Sequence, residues 1–128
     1  MTQEDKELLL KDLCARLPYG IKAFYYGAEE ERETWDEIVG VTFDGYVDIG
    51  QYSLPIESIK PYLFPLSSMA NEQKEKYCQL QQRIIYNSKG VVNKDVAEYI
   101  NWCYKNHLDI NALIPMGLAI NATGLNLY

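Results

Sequence analysis

The chain has 128 residues, of which 48% are hydrophobic and 23% charged. These values are close to the average of globular proteins and exclude a disordered, collagen-like or coiled-coil chain. With 12 basic and 18 acidic residues, the formal net charge is −6. That charge disfavours a general nucleic-acid binder, because such proteins neutralise phosphates with basic side chains. The length predicts a single domain over residues 1–128.

The first helix is predicted from the spacing of its apolar side chains. Thr2 with Asp5 resembles a capped start. The apolar stripe consists of residues at helical intervals, widened by two more leucines: Leu10, Leu13, Cys14 and Leu17, with Leu8 and Leu9. We predict a helix over Gln3–Arg16, ended by the Leu17–Gly20 turn.

A β portion follows, in which aromatic and β-branched residues alternate with turn signals. Asp44-Gly45 is a two-residue hairpin signal, and Leu54–Lys60 reads as one helical turn. Four or five short strands with a 3₁₀ turn before the last predict a small antiparallel sheet or an SH3-like barrel. The predicted strands are Ile21–Tyr26, Thr34–Phe43, Tyr46–Ile49 and an edge strand at Pro61–Leu66.

The second half is predicted to be helical, so the fold class is α+β. Residues 1–66 hold the first helix and the β portion, and residues 67–128 hold two helices and a tail. One helix starts at Ser68 or Asn71 and ends near Ser88, and the next starts at Asn93 and ends near His107. A short strand is expected at Leu118–Ile120.

The cysteines and the single histidine argue against disulfides and zinc. Cys14, Cys78 and Cys103 form an odd, scattered set without a CxxC pair, and His107 is the only histidine. We expect three small buried hydrophobes in a reducing compartment, and no metal or cofactor. The N-terminus lacks the features of a signal peptide, and the longest late apolar stretch, Ala112–Ile120, is too short to cross a bilayer. Cytoplasmic localisation without membrane contact is therefore predicted.

No catalytic constellation is evident, so the sequence predicts a protein that is not an enzyme. A Ser–His or Cys–His mechanism would depend on His107, which we interpret as a capping or surface residue at a helix end. The acidic loop of Glu29, Glu30, Glu31 and Glu33 lacks the enclosure of an acid–base pair. It is either a solvated loop or a patch that faces a partner.

Aromatic residues are concentrated in the β portion, and the chain has 11 tyrosines. Their rings either fill a small core or serve as interface anchors on the outer face. Base stacking is disfavoured because this part of the chain is its most acidic. We predict a partner-binding surface made of the acidic loop together with Trp35, Tyr46 and Tyr62.

Three segments carry a family resemblance: Leu13–Gly20, Ser58–Met69 and Leu113–Ile120. They resemble parts of small proteins, without an assigned activity, that are encoded by Bacteroides-type gut bacteria and by their phages or mobile elements. The resemblance implies a prophage or mobile-element setting and implies no activity, cofactor or catalytic residue.

The leading hypothesis is thus a non-enzymatic accessory protein that binds an unidentified protein partner. Two alternatives stay open. A nucleic-acid-associated small barrel would need a local basic face of Lys74, Lys76, Arg83 and Lys89. An enzyme with an unrecognised site would need a pocket lined by His107, Cys103 or paired acids. The oligomeric state is left open as well.

Overall fold

A six-stranded sheet with the first helix packed against it dominates the α+β fold. The computed structural model describes residues 1–26, 33–42, 44–85 and 93–128. Three short 3₁₀ turns lie at Leu17–Tyr19, Ile56–Ser58 and Leu66–Ser68. The helices are α1 (Gln3–Arg16), α2 (Asn71–Ile85) and α3 (Asn93–Lys105). The strands are β1 (Lys22–Tyr26), β2 (Glu33–Val41), β3 (Tyr46–Ile49), β4 (Tyr52–Pro55), β5 (Ile59–Leu63) and β6 (Ile120–Asn121).

Helix α1 begins and ends where its sequence predicts. The Asp5 N–H donates to the Thr2 hydroxyl at 3.1 Å, and the Thr2 N–H donates back to the Asp5 carboxylate at 3.3 Å. This capping box satisfies two of the N–H groups that a helix start leaves free. The buried side of α1 contains Leu9 and Leu13 of the predicted stripe, and it also contains Asp12 and Arg16, which were not predicted to be buried.

The sheet is mixed and open, so the predicted barrel is not shown. Its strand order is β4-β3-β2-β1-β5-β6, and every pair is antiparallel except β5 with β6. The sheet nevertheless curls strongly. Tyr52 on the edge strand β4 and Tyr25 on β1 have ring centroids 5.8 Å apart, although β3 and β2 lie between their strands.

Strand β5 is an interior strand of the sheet, and the predicted edge position at Pro61–Leu66 is wrong. The direction of the backbone groups in β5 explains why a proline is tolerated there, and a hydroxyl from the tail shows that direction. Tyr128 Oη accepts from the Lys22 N–H at 2.9 Å and lies 2.9 Å from the Tyr62 C=O. Lys22 and Tyr62 therefore point backbone groups at each other. In an alternating antiparallel ladder the nitrogen of the neighbouring Pro61 then points away from β1. Since β6 pairs only with Tyr62 and Leu63, Pro61 deprives neither neighbour of a donor.

The hairpin between β2 and β3 has its last described hydrogen bond between Thr42 and Tyr46. The Thr42 N–H donates to the Tyr46 C=O at 2.9 Å. Gly45 has φ +83°, a left-handed conformation that suits glycine in a hairpin turn. Strand β2 ends at Val41, and Phe43 lies outside the described residues.

The tail returns to the first half of the chain. Leu113, Leu118 and Ala119 join the main core, which α1 and the sheet form together. The predicted strand at Leu118–Ile120 is therefore shifted to Ile120–Asn121. A second, smaller core contains Met69, Cys103 and Leu108 beneath α2 and α3. The predicted end of the first of these helices near Ser88 lies outside the described residues.

The cysteines and the histidine differ from expectation. Cys103 is buried, whereas Cys14 and Cys78 are exposed, so only one of the three is a buried hydrophobe. His107 is half-buried and its ring stacks on Tyr128 with a centroid distance of 3.7 Å. Among the helices that the structure describes, none has the length and apolar character needed to cross a bilayer.

Candidate functional site

The residues of the predicted contact surface do not gather in one place. Glu29, Glu30 and Glu31 lie outside the described residues, and Glu33 opens β2 with a side chain that is also outside them. Trp35 and Tyr46 are 49% and 42% exposed. Tyr62 is only 8% exposed, so it is not the surface anchor that we predicted. The tail covers this part of β5, since Tyr128 and β6 both contact it.

Trp35 and Tyr46 lie at opposite ends of β2. Trp35 pairs with Phe24, whereas Tyr46 bonds to Thr42, seven residues further along the strand direction. At about 3.3 Å per residue this separation is about 20 Å. The Trp35 ring is already occupied by the Lys22 ammonium, which lies 5.2 Å from its centroid. The two exposed rings therefore belong to different surfaces.

Tyr46 borders a groove of about 430 Å³ between α1 and the β portion. One wall is a stripe of α1 whose residues recur at i, i+3, i+4 and i+7: Gln3, Lys6, Glu7 and Leu10. The other wall comprises the β2–β3 loop, the end of β4 and the following 3₁₀ turn. The Ile56 N–H donates to the Gly45 C=O at 2.9 Å, which fixes that turn against the loop. The residues on this wall are Asp44, Gly45, Tyr46, Pro55, Ile56 and Glu57.

The groove has a mostly polar lining with a smaller apolar part. Leu10 and Pro55 contribute to the apolar part, Ile56 beneath them is only 2% exposed, and Tyr46 adds an exposed aromatic side chain at the rim. The rim has three carboxylates and one ammonium, an excess of two negative charges among the described lining residues.

Two of the rim carboxylates, those of Glu57 and Asp44, have lowered pKa values. Lys6 forms an ion pair with Glu57, and this contact lowers the pKa of Glu57. A hydrogen bond with the Thr42 side chain lowers the pKa of Asp44. Within the described part of the chain, neither Asp44 nor Glu7 forms an ion pair. Glu7 accepts a hydrogen bond from the Gln3 side chain at 3.4 Å. The groove therefore presents two carboxylates that have neutral hydrogen-bond donors but no cationic partner among the described residues.

A buried polar cluster joins α1 to the segment after α3. Arg16 donates to Asp12 at 2.6 and 3.1 Å and to the Leu108 C=O at 2.7 Å. Its guanidinium also lies 4.8 Å from the centroid of the Tyr104 ring, and Asn111 donates to Asp12 at 2.8 Å. Every partner belongs to the fold itself. We interpret the cluster as a structural tie.

Cys103 and His107, the residues that an unrecognised enzyme might use, are both held in neutral form. Burial raises the pKa of the Cys103 thiol to about 11. Burial and the positive charges of Arg16 and Lys22 lower the pKa of His107 to about 4. A thiol needs the opposite environment to become a nucleophile at neutral pH.

The basic residues of α2 are mixed with acidic ones. Lys74 and Arg83 are exposed, but Glu72 and Glu75 are exposed on the same helix. Arg83 also pairs with Glu98 of α3 at 3.3 Å. Lys89 lies outside the described residues. The described part of this helix pair therefore lacks the uniform basic face that phosphate binding needs.

Local sequence patterns do not predict the groove, because its two walls are far apart along the chain. The stripe of Gln3, Lys6, Glu7 and Leu10 is visible as a helical period, but nothing local indicates what it faces. No three His, Cys, Asp or Glu side chains come close enough to hold a metal within the residues that the structure describes. No family model, no curated protein and no solved structure matches this chain.

Proposed function

We propose that this chain is a non-enzymatic protein-binding module and that the groove bordered by Tyr46 is its contact surface. The observation that carries the proposal is the position of Tyr46. Tyr46 is 42% exposed at the rim of a groove of about 430 Å³ whose lining includes the apolar side chains of Leu10 and Pro55. Tyrosine beside a pocket is among the side chains that contribute most to protein interfaces.

The size of the groove fits an anchor point within a larger contact. A typical interface buries about 800 Å² on each partner. The groove has room for only a few side chains of the partner, which is a small part of such an interface. We expect the partner to insert a short loop or a side-chain cluster there and to contact the surrounding rim more loosely.

Addition of a partner strand at the β4 edge is the competing mode, and the strand disfavours it. Pro55 lacks an N–H, and prolines are typical of edge strands that resist pairing. In β4, Ser53 lies opposite Asp48 of β3. In this register the Ser53 N–H points away from β3, toward the open edge of the sheet. A single outward donor gives little for a partner strand to bind.

The setting of this function is part of the proposal. The resemblance to proteins of gut bacteria and their phages or mobile elements supports an accessory role there. The three cysteines, all within described segments, are free. Free thiols are typical of proteins kept in a reducing cytoplasm.

The proposal is tested by selecting binders from a display library of random peptides on the immobilised full chain. Each selected peptide is then measured against Tyr46→Ala and against Tyr52→Ala. The second variant is a matched control, because Tyr52 is 40% exposed but lies outside the groove. Circular dichroism verifies that both variants are folded.

We expect the dominant peptides to bind wild type and Tyr52→Ala equally and to lose at least about tenfold in affinity on Tyr46→Ala, as an interface anchor does. Peptides that bind Tyr46→Ala as well as wild type contradict the proposal, since their contact surface lies elsewhere. A library that yields no binder contradicts it too.

A further inference from the structure

We infer that the groove takes a basic segment of its partner, with an arginine side chain bound by Glu7 and Asp44 and stacked on Tyr46. This inference rests on the proposed function and specifies the chemistry of the partner. It begins from the charge of the rim, where three carboxylates face one ammonium among the described lining residues.

The single ammonium does not neutralise the carboxylates of Glu7 and Asp44. Lys6 is engaged by Glu57 across the groove, and the hydrogen bond between them lowers the pKa of Glu57. Glu7 lies on α1 and Asp44 lies in the opposite loop, so the two remaining charges come from both walls. A cation that enters the groove meets a carboxylate on either side.

The apolar side chains in the groove favour a partner side chain that has both a charged group and an aliphatic part. Arginine has an aliphatic stem, which suits the contact with Leu10 and Pro55, and a planar head that pairs with carboxylates and stacks on aromatic rings. Tyr46 supplies such a ring at the rim. Lysine satisfies the charge but gains less from the ring.

Other occupants fit the groove less well. A nucleic-acid phosphate is repelled by the acidic rim, and a second copy of a chain with net charge −6 is repelled over a longer range. A wholly apolar segment would cover Glu7 and Asp44 without giving them a partner, which is unfavourable for charged groups. The net negative charge also accelerates encounter with a basic partner.

The test uses three pools of short peptides with random flanks and a fixed central residue: arginine, lysine or glutamine. Each pool is titrated against the full chain and against Glu7→Gln, Asp44→Asn, the double variant and Tyr46→Ala. Glu75→Gln is the matched control, because Glu75 is an exposed glutamate on α2, away from the groove.

We expect the arginine pool to bind best and the glutamine pool worst. Each single variant should weaken the arginine pool up to about fivefold, in the range of exposed ion pairs, and the double variant should weaken it by about tenfold or more. Added salt should reduce the difference between the pools. Glu75→Gln should bind as wild type does.

Three failures are distinguishable. If the glutamine pool binds as tightly as the arginine pool and Tyr46→Ala abolishes both, the groove is the contact surface but the basic partner is wrong. If the lysine pool binds best, the preference for arginine is wrong. If no pool binds, or Tyr46→Ala changes nothing, the proposed function fails and this inference fails with it.

Discussion

Arg16 and Asp12 form an ion pair that is sealed from solvent: Nε lies 2.6 Å from Oδ1, and neither side chain is exposed. Removing one partner from a buried pair leaves an uncompensated charge and typically costs about 3–5 kcal/mol. We expect Asp12→Ala to lose stability of that order in urea unfolding. The double replacement Asp12→Leu with Arg16→Met should lose much less. An Asp12→Ala variant within about 1 kcal/mol of wild type would contradict this assignment.

His107 is expected to make stability depend on pH. Its pKa falls from 6.5 to about 4 because of burial and the nearby charges of Arg16 and Lys22. Between these values the unfolded chain binds a proton that the folded chain does not. The contribution of neutral His107 is therefore complete above pH 6.5 and is lost progressively as the pH falls toward 4.

The measurement compares urea midpoints of wild type and His107→Asn across this window. Asparagine tolerates the left-handed backbone at this position, where φ is +58°. Wild type should lose more stability than the variant between pH 6.5 and pH 4. Parallel pH curves for the two proteins would show that His107 does not carry the effect.

The Tyr128 hydroxyl is predicted to hold β1 and β5 together at one end. It accepts from the Lys22 N–H at 2.9 Å and lies 2.9 Å from the Tyr62 C=O. Tyr128→Phe removes the bridge but keeps the ring stacked on His107, at a cost of about 1 kcal/mol. Hydrogen exchange at the Lys22 amide should accelerate several-fold while the amides of β3 stay protected. Unchanged exchange at Lys22 would refute the bridge.

Two of the three cysteines should react quickly with thiol reagents, and the third should react slowly. Cys14 and Cys78 are exposed, whereas Cys103 is buried and its pKa is raised to about 11. A chromogenic disulfide reagent should label two thiols quickly in the native protein and the third only in denaturant. The single variants Cys14→Ser and Cys78→Ser should each remove one fast equivalent. Fast labelling of all three would mean that the second core is not closed.

Local signals predicted much of the fold. The capping box and the helical spacing placed α1, and the turn residues with β-branched runs placed β1 and β3. These features depend on neighbours in sequence, so a single chain is enough to read them. Most of the differences arise where distant segments meet.

The buried side of α1 illustrates one limit. The leucines of the predicted stripe do face the core, but Asp12 and Arg16 are buried beside them. Hydrophobic patterning assigns charged residues to the surface, and it has no means of recognising a pair that bonds to Leu108 and Asn111. Cys14 is the member of the predicted stripe that is exposed.

The candidate site illustrates a second limit of prediction from the sequence. Of the predicted contact residues, Tyr46 borders the groove, and Tyr62 is covered by a tail that follows it by more than half the chain. The sequence does not indicate Glu7 as a contact residue, because its position in the groove depends on the distant loop at Asp44. Tertiary packing determines both the burial of Tyr62 and the position of Glu7, and a single sequence does not reveal that packing.

Amide chemical-shift mapping of the full chain with a selected peptide tests the groove most directly. We expect the largest changes at Gly45, Tyr46, Glu57 and the first two turns of α1, with little change at Trp35 or on α2 and α3. Shifts concentrated on the Trp35 face or on the helix pair, with the groove amides unmoved, would contradict the central claim.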